Sequence, residues 1–252
     1  MVMLSELVSC ANEVMEIEKF TDYCPNGLQV QGRDQINKLV VGVTASQELI
    51  DNAIEKEACA ILVHHGYFWR GEPGPIVGIK KNRIKALLSA DVSLITYHLP
   101  LDGHPIYGNN VQLANLFNLT IKSWFGPSKE AIGVIGEFSE PVSSSALSVQ
   151  IREKLLREPI HLSATKDKAI HRLAICSGGA QSFFECAIEN NVDAFLTGEV
   201  SEQTFHISQE TGVDFYAAGH HATERYGVQA LGRFLADKYS IEYEFIDCDN
   251  PI

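Results

Sequence analysis

Apolar positions along the chain follow two periods. Near the start, Leu4, Leu7, Val8, Ala11, Val14 and Ile17 recur three and four residues apart, which places them on one face of a helix over Met3–Ile17. Beyond it, short β-rich runs alternate with helical patterns. The runs predict strands at Lys38–Val43, Ala60–Val63, Val92–Tyr97, Ala131–Phe138, Ile170–Cys176, Asp193–Thr197, Val213–Ala218 and Ile241–Asp247. Helices are expected at Ser46–Lys56, Ile79–Ala90, Asn109–Phe117, Ser144–Leu156, Gln181–Asn190, Ser201–Thr211 and Thr223–Lys238. This alternation points to an α/β fold, with largely parallel strands and helices on their faces.

The pattern also repeats. VVGVTASQELIDNAIEKEACAILVHHG begins at Val40, and LAICSGGAQSFFECAIENNVDAFLTGE begins at Leu173. Each reads as strand, small-residue turn, glutamine near a helix start, Ala-Ile-Glu in the helix, then an apolar strand. His64 and His65 end the first copy where Gly198 and Glu199 end the second. A third strand follows in both, before HLPLD in one and GHHATE in the other. We expect two related α/β halves from an internal duplication, residues 1–126 and 127–252. The segment WFGPSKE (Trp124–Glu130) serves as a short connection between them.

Composition narrows the classes. Of 252 residues, 45% are hydrophobic and 21% charged, as expected of a chain that can build a core. The formal net charge of −12 repels a phosphate backbone over most of the surface and argues against non-specific coating of DNA. Glu6, Glu13, Glu16 and Glu18 interrupt the first segment, so it does not read as an export signal. No stretch is apolar for long enough to span a bilayer. A cytoplasmic location is therefore expected, with no membrane partner. The cysteines at 10, 24, 59, 176, 186 and 248 form no C-x-x-C pair and read as reduced thiols.

Six of the nine histidines fall in three places, each directly after a predicted strand: His64 with His65, His98 with His104, His220 with His221. Open α/β sheets gather ligands beyond the carboxyl ends of their strands. His220 and Glu224 are four apart and share a face of a helix, and His221, three before Glu224, also fits. Spacing alone does not choose between the two histidines. Adjacent His64 and His65 point to one site only if the strand ends there and turns, which Gly66 permits. Asp102 is either a ligand or a turn residue before Gly103. Imidazole and carboxylate together suit Zn, Fe, Mn, Co or Ni, and two such ions can activate water and polarise a carbonyl, imine or phosphoryl oxygen. Glu199 and His98 are candidates for proton transfer.

Two segments are ambiguous. CSGGAQ (Cys176–Gln181) is a small-residue turn that lacks the lysine and third glycine of phosphate-binding loops, and reads first as a plain tight turn. The loop Tyr67–Pro75, with three aromatics and Arg70, could stack a base, cover the site, or pack on a neighbouring subunit.

Taken together, PNGLQVQG, GVTASQ, LVHHGYFW, HLPLD, GNN, SGGAQ, DAFLTGEVSEQ and AAGHHATERYG resemble the NIF-three-like family, also called the GTP cyclohydrolase 1 type 2 family, and most of all its short bacterial YbgI-like members. The resemblance covers nearly the whole chain. It implies a two-ion centre whose ligands match His64, His65, Asp102, His220 and Glu224, with Glu224 as the bridge. It further implies a toroidal homohexamer with its metal sites facing an internal cavity. Longer members carry an extra middle domain, for which there is no room between Phe125 and Ile132. The activity it suggests is metal-dependent hydrolysis of a nucleotide. The alternatives are a phosphoesterase acting on nucleotides or nucleic acid, and a ring protein that handles metal without catalysis.

Overall fold

A computed structural model describes residues 1–127 and 131–252 of the chain. The connection expected at Trp124–Glu130 thus lies partly outside the described residues. Contacts divide the chain into two compact units. Unit 1 comprises Met1–Leu101 and Gly227–Asp249; unit 2 comprises Asp102–Tyr226 and Asn250–Ile252.

Unit 1 runs β1 (Val2–Met3), α1 (Leu4–Met15), β2 (Gly27–Val30), β3 (Gln35–Ile36), β4 (Lys38–Thr44), α2 (Gln47–Glu55), β5 (Ala60–His65), α3 (Gly78–Ala90) and β6 (Ser93–Thr96). The chain leaves this unit within α4 (Leu99–Gly103). In unit 2 follow α5 (Asn109–Leu116), β7 (Thr120–Phe125), β8 (Gly133–Ser143), α6 (Ser144–Leu155), β9 (Ile160–Leu162), β10 (Ala169–Ile175), α7 (Phe184–Glu189), β11 (Ala194–Thr197), α8 (Glu202–Thr211), β12 (Asp214–Ala217) and α9 (His220–Thr223). Helix α10 (Arg225–Tyr239) carries the chain back to β13 (Glu242–Phe245) of unit 1.

Among the described residues, the main sheet of unit 1 has the order β13-β4-β5-β6-β2, and that of unit 2 has the order β7-β8-β10-β11-β12-β9. Each contains three parallel strands in chain order, β4-β5-β6 and β10-β11-β12. Each third strand is flanked by an antiparallel strand that precedes the trio in sequence, β2 in one unit and β9 in the other. A helix precedes that flanking strand in both, α1 and α6. The repeat read from two sequence segments thus extends to a shared topology.

The strands of the trios are buried almost throughout, because helices cover both faces of the sheet. In unit 2 the period-two alternation separates two cores. Leu196 and Tyr216 face Leu147, Ile151 and Leu173, whereas Phe195 and Phe215 pack with Phe184 and Phe125. In unit 1, Val40, Ile50, Ile61, Val63, Leu87 and Leu94 form one cluster. Serine caps include Ser46, which accepts from the Leu49 amide, and Ser143, which accepts from the Ala146 amide.

Several elements differ from expectation. The strands β7 and β9 and the helix α4 were not anticipated, because short edge strands with mixed burial carry little period-two signal. β2 lies in the segment CPNGLQVQG, expected only as a turn and short extended stretch. The strand expected at Ala131–Phe138 runs on to Ser143, since its second part pairs with Ala169 and Ile170 of β10 after a register shift. The helix expected at Thr223–Lys238 is α10, which starts at Arg225; a separate short helix, α9, precedes it and has its C-cap at Glu224, with φ −110°. The compact units also depart from the sequence halves 1–126 and 127–252. α5 and β7 pack and pair within unit 2, and β13 pairs with β4 of unit 1. Among the described residues no helix is long and apolar enough to cross a membrane, and the six cysteines are free thiols.

Gly232 shows how tightly α10 is seated in unit 1. A Cβ there would lie 2.5 Å from Val41 Cγ1 and 2.9 Å from Tyr243 Cε2. Gly232→Ala is expected to destabilise the chain by about 1–3 kcal/mol through overpacking, despite the better helix propensity of alanine. Urea unfolding checks this; a variant as stable as wild type would mean that Tyr243 swings aside.

Candidate metal centre

In unit 1, hydrogen-bond register sets the donors. Thr44 of β4 is the register partner of His65 of β5, and Thr44 Oγ1 lies 3.0 Å from His65 Nδ1. Val63 pairs with Thr96, so His64 falls beside Tyr97, and His64 Nδ1 lies 3.0 Å from the Tyr97 carbonyl oxygen. β5 ends at His65, and the two rings lie with centroids 4.6 Å apart. Adjacent residues therefore do reach one place, as expected for a strand that stops there. The role of Gly66 is space rather than an unusual φ: a Cβ would overlap Gln29 Oε1 and Thr96 Oγ1. His98, just beyond β6, completes a group whose ligand atoms lie within 4.8 Å of one another: His64, His65 and His98.

The partner of His98 is Asp22, which the sequence reading missed. Asp22 Oδ1 lies 2.7 Å from His98 Nδ1, Oδ2 accepts from the Leu99 amide at 2.9 Å, and Asn26 Oδ1 accepts from the His98 amide at 2.8 Å. Burial alone would raise the Asp22 pKa, but the hydrogen bond and charge of His98, with bonds from Asn26 and the Tyr23 amide, bring it from 3.8 to about 2. Burial and the neighbouring Asp22 push the Cys24 thiol up to about 12. The aromatic loop packs onto the same region. Tyr67 is buried and donates its hydroxyl to the Ala45 carbonyl, Trp69 sets its edge against His98 at 4.9 Å, and Arg70 donates to the Asp22 carbonyl.

In unit 2 the donors surround the CSGGAQ turn. Asp102 is buried at 6% exposure on α4; its Oδ1 accepts from Asn109 Nδ2 and Ser177 Oγ, each at 3.0 Å. Glu224, at 3% exposure, has Oε1 3.2 Å from His220 Nε2. Of the two adjacent histidines, it is His220 that groups with Glu224, while the His221 amide donates to the Ile252 carbonyl. Asp102 and Glu224 present carboxylate oxygens within 4.8 Å of each other. Two buried anions this close repel, and a cation between them offsets the cost.

The glycines of this turn make room for the carboxylate. Gly178 has φ +66°, and a Cβ there would overlap Glu224 Oε1 and lie 3.1 Å from His220 Nε2. Its amide donates to Thr223 Oγ1 at 3.0 Å. Glu199 lies 2.7 Å from His220 Nδ1 and also receives Gln181 Nε2 at 3.2 Å. Burial alone would lower the His220 pKa, but Glu224 and Glu199 on its two nitrogens raise it to about 9. The deeply buried Cys176 thiol is held well above its ordinary value, by burial first and then by Asp102 and Glu224. His104 is a local turn residue: its Nδ1 accepts the amides of Ile106 and Tyr107, and its ring stacks on Tyr107.

Two α/β units on one topology, with histidine and carboxylate donors just beyond the ends of their parallel strands, define a protein class with a candidate metal centre. Residues 2–251 match the family described as Duf34/NIF3 (NGG1p interacting factor 3), and the chain belongs to that family. It is 50% identical over 251 residues to a protein of Pseudomonas aeruginosa called GTP cyclohydrolase 1 type 2 homolog, covering 99% of each chain. A protein of the same name from Escherichia coli is 47% identical over 247 residues, covering 98% of each. The solved structure of a protein described as ybgI, of unknown function, matches with TM-score 0.95 and 46% identity over 100% of both chains.

The Asp22–His98 pair gives a pH test on metal-free protein. The carboxyl is depressed from 3.8 to about 2, so its contribution of about 2 kcal/mol is full above about pH 4 and fades as pH falls towards 2. Asp22→Asn should therefore lose about that much stability at neutral pH, with the gap to wild type closing on acidification. Denaturant melts across the pH series measure it. A gap that stays constant down to pH 2 would exclude the Asp22 carboxylate as its source.

Proposed function

We propose that the chain is a two-metal hydrolase acting on a nucleotide, with His64, His65, Asp102, His220 and Glu224 as ligands and Glu224 as the bridge between two divalent ions. One observation carries this reading. Each histidine of the set has Nδ1 engaged by a fixed oxygen: Tyr97 carbonyl for His64, Thr44 Oγ1 for His65, Glu199 for His220. For His64 and His220 the carbonyl and the carboxylate can only accept, which favours the tautomer whose Nε2 ligates, as the outer partners of metal-binding histidines do; the Thr44 hydroxyl holds the His65 ring in position. Asp102 is steadied in the same way through Oδ1 by Asn109 and Ser177. The chemistry of this nitrogen and oxygen set suits Zn, Fe, Mn, Co or Ni. Two related halves from one duplication, each supplying part of the set, fit the shared topology of the units.

When bound, such ions supply Lewis acidity to water and to a carbonyl, imine or phosphoryl oxygen. The chain's own residues position and move protons. Glu199 keeps the Nδ1 proton of His220 in place, and Asp22 does so for His98. His98 and Glu199 are the groups we assign to proton transfer. The nucleotide assignment draws on the relatives' name, GTP cyclohydrolase 1 type 2 homolog.

Elemental analysis of protein purified without a histidine tag should find close to two ions per chain, and fewer in Glu224→Ala and in His65→Ala. Unchanged occupancy in both variants would end the assignment. With Zn, Mn or Fe, wild type should release formate from GTP and Glu224→Ala should not. Release of phosphate or nucleoside from a phosphodiester panel would replace this reading with a phosphoesterase. Equal behaviour of both proteins on every substrate, with altered metal exchange, would replace it with metal handling.

We infer further, from family membership, that the chain assembles into a hexameric ring. Light scattering should give six times the chain mass. Monomer alone, in dilute and concentrated samples, would refute the ring.

A further inference from the structure

Unit 2 holds a cavity of about 400 Å³ whose wall includes Arg157, Ile160, Gly198, Glu199, Val200 and Ile252. Glu199 connects it to the candidate centre, because the same carboxylate holds His220 Nδ1 at 2.7 Å. Three charged side chains reach the cavity, and two are already compensated. Glu199 is engaged by His220 and Gln181, and Glu158 lies 3.7 Å from Arg152. Among the described residues, the Arg157 side chain has no ion pair or hydrogen bond. Its stem packs at Gly219, where a Cβ would lie 3.4 Å from Arg157 Cγ and Nε.

The repeat gives this placement a second meaning. In unit 1 the connection between α1 and β2 carries Asp22 onto His98, the residue that follows Tyr97 beyond β6. In unit 2 the equivalent connection, between α6 and β9, carries Arg157 to Gly219, directly before His220. The same topological position supplies an anion to an imidazole in one unit and an unmatched cation to a cavity in the other.

We propose that this cavity seats the substrate of the centre, with the Arg157 guanidinium binding its anionic group and Ile160 and Val200 covering a flat apolar part. The assignment rests on the nucleotide-hydrolase reading for the identity of that substrate. A guanidinium fork matches a phosphate or carboxylate through two parallel hydrogen bonds. In a chain of net charge −12, an unmatched cation on an apolar wall selects where the anionic end lies.

The test is calorimetric binding of guanosine 5′-monophosphate and of guanosine to metal-loaded protein, with metal content measured alongside. Arg157→Gln keeps most of the stem and removes the charge; Arg157→Lys keeps the charge and removes the fork. Arg157→Gln should weaken the monophosphate roughly tenfold to a hundredfold, leave guanosine binding and metal content unchanged, and lose less in the lysine variant. Equal affinity of wild type and Arg157→Gln for the monophosphate overturns the proposal. So does an equal loss for guanosine, or no binding of the monophosphate to wild type. The two readings fail separately. GTP turnover that ignores Arg157 removes the cavity and spares the hydrolase; Arg157-dependent binding without turnover does the reverse.

Discussion

In each unit the parallel hydrogen-bond ladder continues past the ends of the strands, and the site depends on that continuation. In unit 2 the Cys176 amide still donates to Leu196, Gly198 to Gly178, Ala218 to Thr197, and Gly219 to Gly198. These rungs hold three glycines in one row where the strands stop. A Cβ at Gly198 would lie 2.6 Å from His220 Cα, so side chains there would push the next residues apart. With the row intact, Glu199 and His220 leave adjacent rungs and meet. In unit 1 the same rule sets Thr44 against His65 and Tyr97 against His64. Imidazole orientation is thus a consequence of strand register.

Electrostatics explains why so much of the surrounding chemistry is devoted to holding donors still. Asp102 and Glu224 are buried close together in a chain that is already strongly acidic. Burying such groups is costly unless they are hydrogen-bonded and met by positive charge. Ser177 and Asn109 supply the bonds at Asp102, and His220 supplies one at Glu224. Burial first, and then the charges of Asp102 and Glu224, hold the Cys176 thiol well above its ordinary value. Asp22 plays the complementary part in unit 1, where its depressed pKa keeps it ionised against His98.

The alternation of short apolar runs with helical periods determined the α/β class, and the buried strands of both trios lie where those runs are. Histidines and carboxylates directly after the runs were legible too, because strand ends are where an α/β sheet presents polar side chains. The edge strands β7 and β9 were not, since an edge strand buries little and its residues carry no clear alternation. Nor was the short helix α9, which has its C-cap at Glu224 just before α10 and leaves the carboxylate against Gly178.

What only tertiary structure decided are the partners. Asp22 is 76 residues from His98, Ser177 is 75 from Asp102, and Glu199 is 21 from His220. Local spacing cannot report such pairs, because they are made by register between strands and by loops folded over the strand ends. The sequence by itself determined which residue types stand at those ends. The fold decided the choice of His220 to meet Glu224, the space reserved by Gly66 and Gly178, and the oxygen that fixes each ring, because those depend on backbone positions set by contacts far apart in the chain.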